Sequence, residues 1–146
     1  MLMPTPRENH DLTGCIACGS ANPSGIGLRF RLDEAGRAVA DTVCQAGWVS
    51  WKGIVHGGVL AMLMDEAAGW AVAGRGWTGL TARLSIRLAR PVVPGQRLIV
   101  RAWVERLRKR FAQVAAELLT PGGTRVAGAQ LLMFVTGDLP EKGIIP

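Results

Sequence analysis

Apolar residues recur with two different periods along the chain, and the change of period separates one helix from several strands. Residues 57–73 are almost continuously apolar and glycine-flanked, which predicts a buried helix ending near Gly74. Farther along the chain, apolar and polar residues alternate with a period of two. This alternation predicts strands at 80–88, 97–105, 111–119 and 125–135, and a hairpin before the helix with strands near 28–32 and 37–44.

These elements predict an α+β fold in which an antiparallel sheet wraps around one long central helix. The four strands after the helix are expected to form a meander with one apolar face, and only the helix is available to cover that face. A chain of 146 residues fits one domain. We expect a flexible N-terminal segment at 1–13, the folded domain at 14–137 and a tail at 138–146.

Composition and charge narrow the functional classes. The chain is 49% hydrophobic and 19% charged, which is ordinary globular composition. The longest uncharged apolar run, 53–64, is too short to cross a bilayer, and the N-terminus lacks the apolar core of a signal peptide. The net charge of +6 is accompanied by no nucleic-acid-binding motif. We therefore expect a cytoplasmic protein that binds neither nucleic acid nor membranes.

Three cysteines, Cys15, Cys18 and Cys44, indicate little chemistry by themselves. Their odd number disfavours a disulfide framework, and a single C-x-x-C lacks the further ligands that a zinc site requires. His10 and Cys44 could in principle complete such a site, but no local spacing supports it. We expect two reduced thiols in a lead-in turn, with no metal and no cofactor.

Two adjacent acids, Asp65 and Glu66, stand in the middle of the apolar helix. Burying an unpaired carboxylate is costly, so each acid needs a partner or a chemical role. Successive helical residues point about 100° apart, so the two acids must face different surroundings. Pairing with Arg75 or with arginines of the sheet is one interpretation, and a functional site is the other; the helix alone leaves both open.

The sequence His56-Gly57-Gly58 opens this helix without an Asp, Asn, Ser or Thr cap. Two glycines leave the first backbone N–H groups unobstructed, and the helix dipole makes this end attractive to negative charge. A carbonyl oxygen that becomes an oxyanion could bind there. A tight turn that requires glycine is the alternative interpretation.

The pattern G-x-x-H-G-G, followed by an apolar helix with an acid nine residues after the histidine, resembles the PaaI-like acyl-CoA thioesterases of the hotdog fold. The lead-in CIACGSANPSGIGLRF and the segment LARPVVPGQRL extend the resemblance over roughly residues 14–136. The resemblance implies hydrolysis of a small-molecule acyl-CoA substrate. It also implies a homodimer, with a dimer of dimers as the expected assembly.

The resemblance assigns roles to individual residues. Asp65 corresponds to the catalytic carboxylate, which acts as nucleophile or as general base for water. Gly57 corresponds to the residue whose N–H polarises the thioester carbonyl, with His56 supporting the loop. Thr81 corresponds to a Ser or Thr that helps to position the attacking water. Ser50 stands where many relatives carry Asn, and this departure bears on the detailed mechanism or the rate.

The spacing of Gly57 and Asp65 predicts how such a site is assembled. Eight helical residues span about 12 Å, whereas acyl transfer requires both groups within about 3 Å of one reacting centre. If both residues are catalytic, the carboxylate must come from a neighbouring chain whose helix runs antiparallel. Gly58 is expected to contact substrate beside Gly57.

The segment RLRKRF, 106–111, carries four cations, Arg106, Arg108, Lys109 and Arg110. They could clamp the phosphates of coenzyme A, or they could form a solvated hairpin end. Trp51, in the loop before the helix, could flank the acyl group.

A non-catalytic acyl-CoA-binding or sensor module on the same fold is the main alternative to an enzyme. A hotdog hydratase would need an Asp and His spacing that is not evident.

Overall fold

The central helix forms over the predicted residues. The computed structural model describes residues 14–136, so the segment at 1–13 and the tail at 138–146 lie outside the described residues. Helix α1 spans Gly57–Ala73. The strands are β1 (Arg31–Leu32), β2 (Ala38–Val43), β3 (Thr78–Leu88), β4 (Arg97–Arg108), β5 (Phe111–Leu119) and β6 (Arg125–Thr136).

The core lies between α1 and one face of a six-stranded antiparallel sheet. Apolar side chains of α1 such as Leu63 and Met64 are fully buried, because they meet alternate residues of the strands, among them Val100, Val114 and Leu118. Alternation places every second strand residue on the helix side. The predicted hotdog architecture, a sheet around one helix, is confirmed.

The predicted four-stranded meander is wrong in one respect. The strand order is β1-β2-β4-β5-β6-β3, so only β4, β5 and β6 follow one another as hairpins, and β3 forms the edge beside β6. The connection at 89–96 cannot turn back as a tight hairpin, because Pro91 and Pro94 interrupt it and Val92 is buried. The Val92 carbonyl instead accepts a hydrogen bond of 2.7 Å from the Val55 N–H, just before α1.

A β-bulge in β3 decides which of its residues face the helix. Thr81 is opposite the buried Met133, whereas Leu84 is opposite the buried Leu131, with a register shift at Ala82 between them. Both Thr81 and Leu84 therefore lie on the helix side of the sheet. An uninterrupted period of two would place them on opposite faces.

The outer face of the sheet contains one buried carboxylate, Glu117, which is 3% exposed. It accepts a hydrogen bond from Arg101 Nε and two from Arg125, at 2.9 Å from Nε and 2.5 Å from Nη2. Burial alone would raise the pKa of Glu117, but the hydrogen bonds and charges of both arginines outweigh burial. They hold the pKa below its ordinary value of 4.5. Glu117 therefore stabilises the fold above that pH, and this contribution is lost as the pH falls through the lowered pKa.

We predict that Glu117→Gln lowers the free energy of unfolding by about 1–3 kcal/mol at pH 7, because it weakens hydrogen bonds to a charged acceptor. Urea denaturation at several pH values measures the effect. The difference from wild type should shrink as the pH falls below the pKa of Glu117. The exposed Glu105→Gln on β4 is the matched control and should change stability by less than about 0.5 kcal/mol. Equal effects of the two changes would contradict the prediction.

Candidate functional site

Asp65 is half-buried on α1, and its Oδ1 accepts a hydrogen bond of 2.6 Å from Thr81 Oγ1 on β3. The bulge in β3 makes this contact possible, because it keeps Thr81 on the helix side. Among residues 14–136, no cation forms an ion pair with Asp65. A carboxylate that is oriented by a hydroxyl and not neutralised by a cation is suited to act as a base or a nucleophile.

Glu66 has separate surroundings on the neighbouring face of α1. Its Oε1 accepts a hydrogen bond of 3.0 Å from Trp70 Nε1, and Cys15 Sγ lies 3.7 Å from Oε2. No ion pair within the described part of the chain includes Glu66. The interpretation in which arginines pair with the two acids is therefore wrong for these residues, and the two carboxylates do diverge as their helical spacing requires.

His56 provides the cap at the start of α1. Its Nδ1 accepts a hydrogen bond of 2.8 Å from the backbone N–H of Gly58. A side chain at Gly58 would place its Cβ 2.9 Å from Nδ1, so glycine allows the imidazole to approach. The N–H of Gly57 donates to no atom within residues 14–136. At this end of the helix, Gly57 therefore offers a free donor beside the positive end of the dipole.

Strand β3 runs past both of these groups. An added Cβ at Gly57 would lie 2.8 Å from Leu88 Cδ1, so the start of α1 lies beside the last residue of β3. Asp65 instead lies beside Thr81, near the opposite end of the strand. One chain thus keeps the donor and the carboxylate apart, as the spacing predicts. The sequence did not single out Leu88, because only the register of β3 against α1 reveals its position.

The loop before α1 lies on the Gly57 side of the site. The Ser50 N–H donates to the Ile54 carbonyl at 2.7 Å, and its hydroxyl donates to the same oxygen at 3.4 Å. A hydrogen bond of 2.7 Å from the His56 N–H to the Trp48 carbonyl joins the loop to the start of α1. Ser50 makes no hydrogen bond to Asp65 of its own chain. Trp51 is 76% exposed and could contact a ligand at this side.

The basic turn lies at the other end, near Thr81. Arg106, Arg108, Lys109 and Arg110 occupy the end of β4 and the turn into β5, and all four are exposed. Across the sheet, Ala112 of β5 is opposite Met133 of β6, which is opposite Thr81 of β3. Two strand spacings amount to about 10 Å, so the turn is close enough to Asp65 to serve one extended ligand.

A groove within one chain lies away from Asp65. An open groove of about 950 Å³ runs over the outer face of the sheet, where Trp103, Ala115, Gln130 and Ser85 line it. Asp65 and Thr81 lie on the opposite, helix side of that sheet. The groove does not reach these two residues, and the Asp65 side of the chain is an open strand edge.

Residues 52–127 match the family model of the thioesterase superfamily. The chain belongs to this superfamily. The matched segment contains the His56-Gly57-Gly58 turn, all of α1 and the edge strand β3. No curated protein matches the chain significantly. Within residues 14–136, no helix has the length and apolar character needed to cross a membrane.

Solved structures share the fold. A phenylacetic acid degradation-related protein of Ralstonia eutropha is 29% identical, with a TM-score of 0.67 over 75% of this chain and 86% of that one. The PaaI protein of the E. coli phenylacetic acid degradation operon is 24% identical, with a TM-score of 0.71 over 78% and 83%. A Streptococcus pneumoniae thioesterase-type protein with coenzyme A is 23% identical, with a TM-score of 0.72 over 77% and 91%. The PaaI-like resemblance is confirmed.

We predict that His56→Ala lowers the free energy of unfolding by about 1 kcal/mol, because Gly58 loses its capping acceptor. His56→Asn supplies a good N-cap acceptor and should retain most of the stability. Chemical denaturation of the three proteins measures the difference. Equal destabilisation by Ala and Asn would show that the imidazole acts by packing and not by capping.

Proposed function

We propose that this protein hydrolyses acyl-CoA thioesters at a site shared by two copies of the chain. Asp65 supplies the carboxylate, and the partner's Gly57 supplies the oxyanion donor. The observation that carries the proposal is the half-buried Asp65, which is oriented by Thr81 and has no cationic partner, on the central helix of a thioesterase-superfamily chain. Such a carboxylate on a superfamily scaffold fits hydrolysis better than passive packing.

The edge strand β3 supports the shared site. Its outer edge is unpaired in one chain, and its apolar residues Leu80 and Leu88 are 66% and 52% exposed. Exposed edges of this kind tend to pair with another strand. Antiparallel pairing of two β3 strands, centred on Ser85 and with the bulge at Ala82 counted, would place Thr81 opposite the partner's Leu88 on the helix side of the sheet. Because Leu88 lies beside Gly57 in each chain, Asp65 would then face the partner's Gly57.

Two-fold symmetry would repeat this arrangement, giving two equivalent sites for each dimer. Each site would combine the carboxylate end of one helix with the positive end of the other. The second edge of the sheet ends in the two-residue β1, and the outer face remains available. That face could serve the dimer of dimers that the resemblance implies.

The proposed reaction proceeds by addition and elimination at the thioester carbonyl. Asp65 removes a proton from water, whose oxygen attacks the carbonyl carbon. The partner's Gly57 N–H stabilises the resulting oxyanion. The intermediate then expels the coenzyme thiolate, which takes up a proton, and a free acid remains. In the covalent alternative, Asp65 itself attacks the carbon and expels the coenzyme thiolate, which takes up a proton, and water then cleaves the resulting anhydride to the free acid and the Asp65 carboxylate.

The basic turn is proposed to bind the phosphates of the coenzyme. Arg106, Arg108 and Lys109 form no ion pair within the described residues, so their charge is available to an anionic ligand. The Streptococcus pneumoniae structure, which contains coenzyme A, has the same fold. Trp51, Gly58 and Ser50 are proposed to contact the substrate from the Gly57 side. The cytoplasmic location expected from the sequence remains a prediction.

A non-catalytic acyl-CoA sensor is the second candidate function, and Ser50 is the observation that favours it. Ser50 uses its hydroxyl on the Ile54 carbonyl, and a serine cannot offer the amide that many relatives carry there. A single-turnover assay with a panel of acyl-CoAs separates the two functions. Free acid formed from bound acyl-CoA supports the enzyme, whereas tight binding without hydrolysis supports the sensor.

We predict that Asp65→Asn abolishes hydrolysis and leaves the dimer intact, because the amide keeps the size of the side chain but cannot act as base or nucleophile. Gly57→Pro should also abolish it, because proline removes the N–H yet is tolerated in the first turn of a helix. Gly57→Ala introduces the same contact with Leu88 but keeps the N–H. It is the matched control and should retain more activity than the proline variant.

The two inactive variants also test whether the site is shared. When equal amounts of Asp65→Asn and Gly57→Pro chains are mixed and allowed to exchange subunits, about one quarter of wild-type activity should return. Half of the dimers are then hybrids, and each hybrid has one intact site out of two. Steady-state assays before and after subunit exchange measure the recovery. No recovery despite hybrid formation would contradict the shared site, and activity in Asp65→Asn alone would contradict its role.

We predict that neutralising Arg108 and Lys109 with glutamine raises KM for an acyl-CoA more than it lowers kcat, because phosphate contacts lie away from the reacting centre. The control is the double change Arg31→Gln and Arg97→Gln, which removes the same charge beside Asp41 at the far end of the sheet. An unchanged KM in the turn variant, or an equal rise in the control, would contradict the phosphate clamp.

A further inference from the structure

A second cluster of reactive side chains lies between the lead-in turn and α1, and it takes no part in the proposed reaction. The Sγ atoms of Cys15 and Cys18 and a carboxylate oxygen of Glu66 all lie within 4.8 Å of one another. Cys15 Sγ is 3.8 Å from Glu66 Oε1 and 3.7 Å from Oε2. Two thiols from the lead-in turn therefore converge on an acid that is 51 residues after Cys15 in the chain.

We propose that Cys15, Cys18 and Glu66 form a binding site for one Zn²⁺ ion. The C-x-x-C pair is insufficient for a zinc site by itself. Of the two residues that could complete it in the sequence, His10 lies outside the described residues and Cys44 lies outside the cluster. The fold adds Glu66 as a third donor, which no local spacing could reveal. Thiolate and carboxylate are both common zinc ligands, and three of them from the described residues leave a fourth position for water or another donor.

The spacing of the donor atoms fits a tetrahedral ion. With Zn–S distances of about 2.3 Å and Zn–O distances of about 2.0 Å, ligand atoms in such a site lie about 3.5–3.8 Å apart. The two contacts between Cys15 and Glu66 already fall close to this range. Since no two of the three donor atoms are more than 4.8 Å apart, an ion could be enclosed by movements of about 1 Å.

Neighbouring groups orient these donor atoms, just as residues that hydrogen-bond to metal ligands orient those ligands in known metal sites. Trp70 Nε1 donates to Glu66 Oε1 at 3.0 Å, and the Trp70 ring stacks on Phe30 with centroids 5.8 Å apart. The backbone N–H of Cys18 points at Cys15 Sγ at 3.5 Å. Cys18 is only 8% exposed, so the cluster is sheltered from solvent on that side.

The charge of the cluster also favours a cation. Glu66 is half-buried, and no lysine or arginine within residues 14–136 forms an ion pair with it. On binding Zn²⁺, the two thiols release their protons to the solvent. These protons compensate the two charges of the ion, so the net charge of the site does not change. The ion would fasten the lead-in turn to the central helix, on a face about 100° away from Asp65.

The test uses the full-length protein, stripped with a chelator, kept reduced with a phosphine, and titrated with Zn²⁺ or Co²⁺. We expect one Zn²⁺ for each chain by elemental analysis after desalting. With Co²⁺ we expect thiolate-to-cobalt charge-transfer bands and the intense visible bands of a tetrahedral ion. Cys18→Ser and Glu66→Gln should each weaken Zn²⁺ binding at least about tenfold, since each removes a ligand. Zinc should raise the melting temperature of the wild type but not of Cys18→Ser.

Two controls separate this site from other thiols and from the proposed reaction. Cys44→Ala removes the buried cysteine outside the cluster, and Asp65→Asn neutralises the adjacent acid; both should bind as the wild type does. Circular dichroism establishes that each variant is folded. Substoichiometric zinc in the reduced wild type, or unchanged affinity and cobalt spectrum in Glu66→Gln, would overturn the proposal. Because no readout involves a thioester, failure of the proposed hydrolase activity would leave this result unaffected.

Discussion

The hydrogen bond between Thr81 and Asp65 joins the two elements on which the candidate site depends, the central helix and the edge strand of the sheet. It requires a carboxylate at a half-buried helical position and a bulge that turns Thr81 toward that carboxylate. Because an unpaired acid in a core is costly, the rest of the fold must leave Asp65 accessible from one side. The unpaired edge of β3 provides that access, and it is the edge proposed to pair with a second copy of the chain.

The candidate site also depends on the distance between the start of α1 and Asp65. A straight helix cannot bring its first N–H and its ninth residue to one reacting centre, since they are separated by about 12 Å. Strand β3 passes both, with Thr81 beside Asp65 and Leu88 beside Gly57. In the proposed dimer, antiparallel pairing of two β3 strands would bring opposite ends of the two helices together. In the proposed site, dimerisation and catalysis are therefore a single requirement.

Much of this could be predicted from the sequence, and the failures have identifiable causes. Continuous apolar character fixed the helix at 57–73, and strict alternation located the last four strands within a few residues. Local periodicity does not determine which strands are neighbours, so the displacement of β3 to the edge was missed. The bulge at Ala82 was invisible for the same reason. Alternation alone would have placed Thr81 on the outer face, and only the family resemblance indicated its role.

The two acids on α1 show most clearly what could not be predicted from the sequence. The sequence established that Asp65 and Glu66 face different surroundings, because helical geometry is local. It could not establish what those surroundings are, because the partners come from β3 in one case and from the lead-in turn in the other. Glu66 lies beside two thiols of the lead-in turn, whereas Asp65 lies beside the edge strand β3. In the two proposals, these carboxylates of one helix have different tasks: Asp65 acts on a reacting carbonyl, and Glu66 binds a cation that holds the helix to the chain before it.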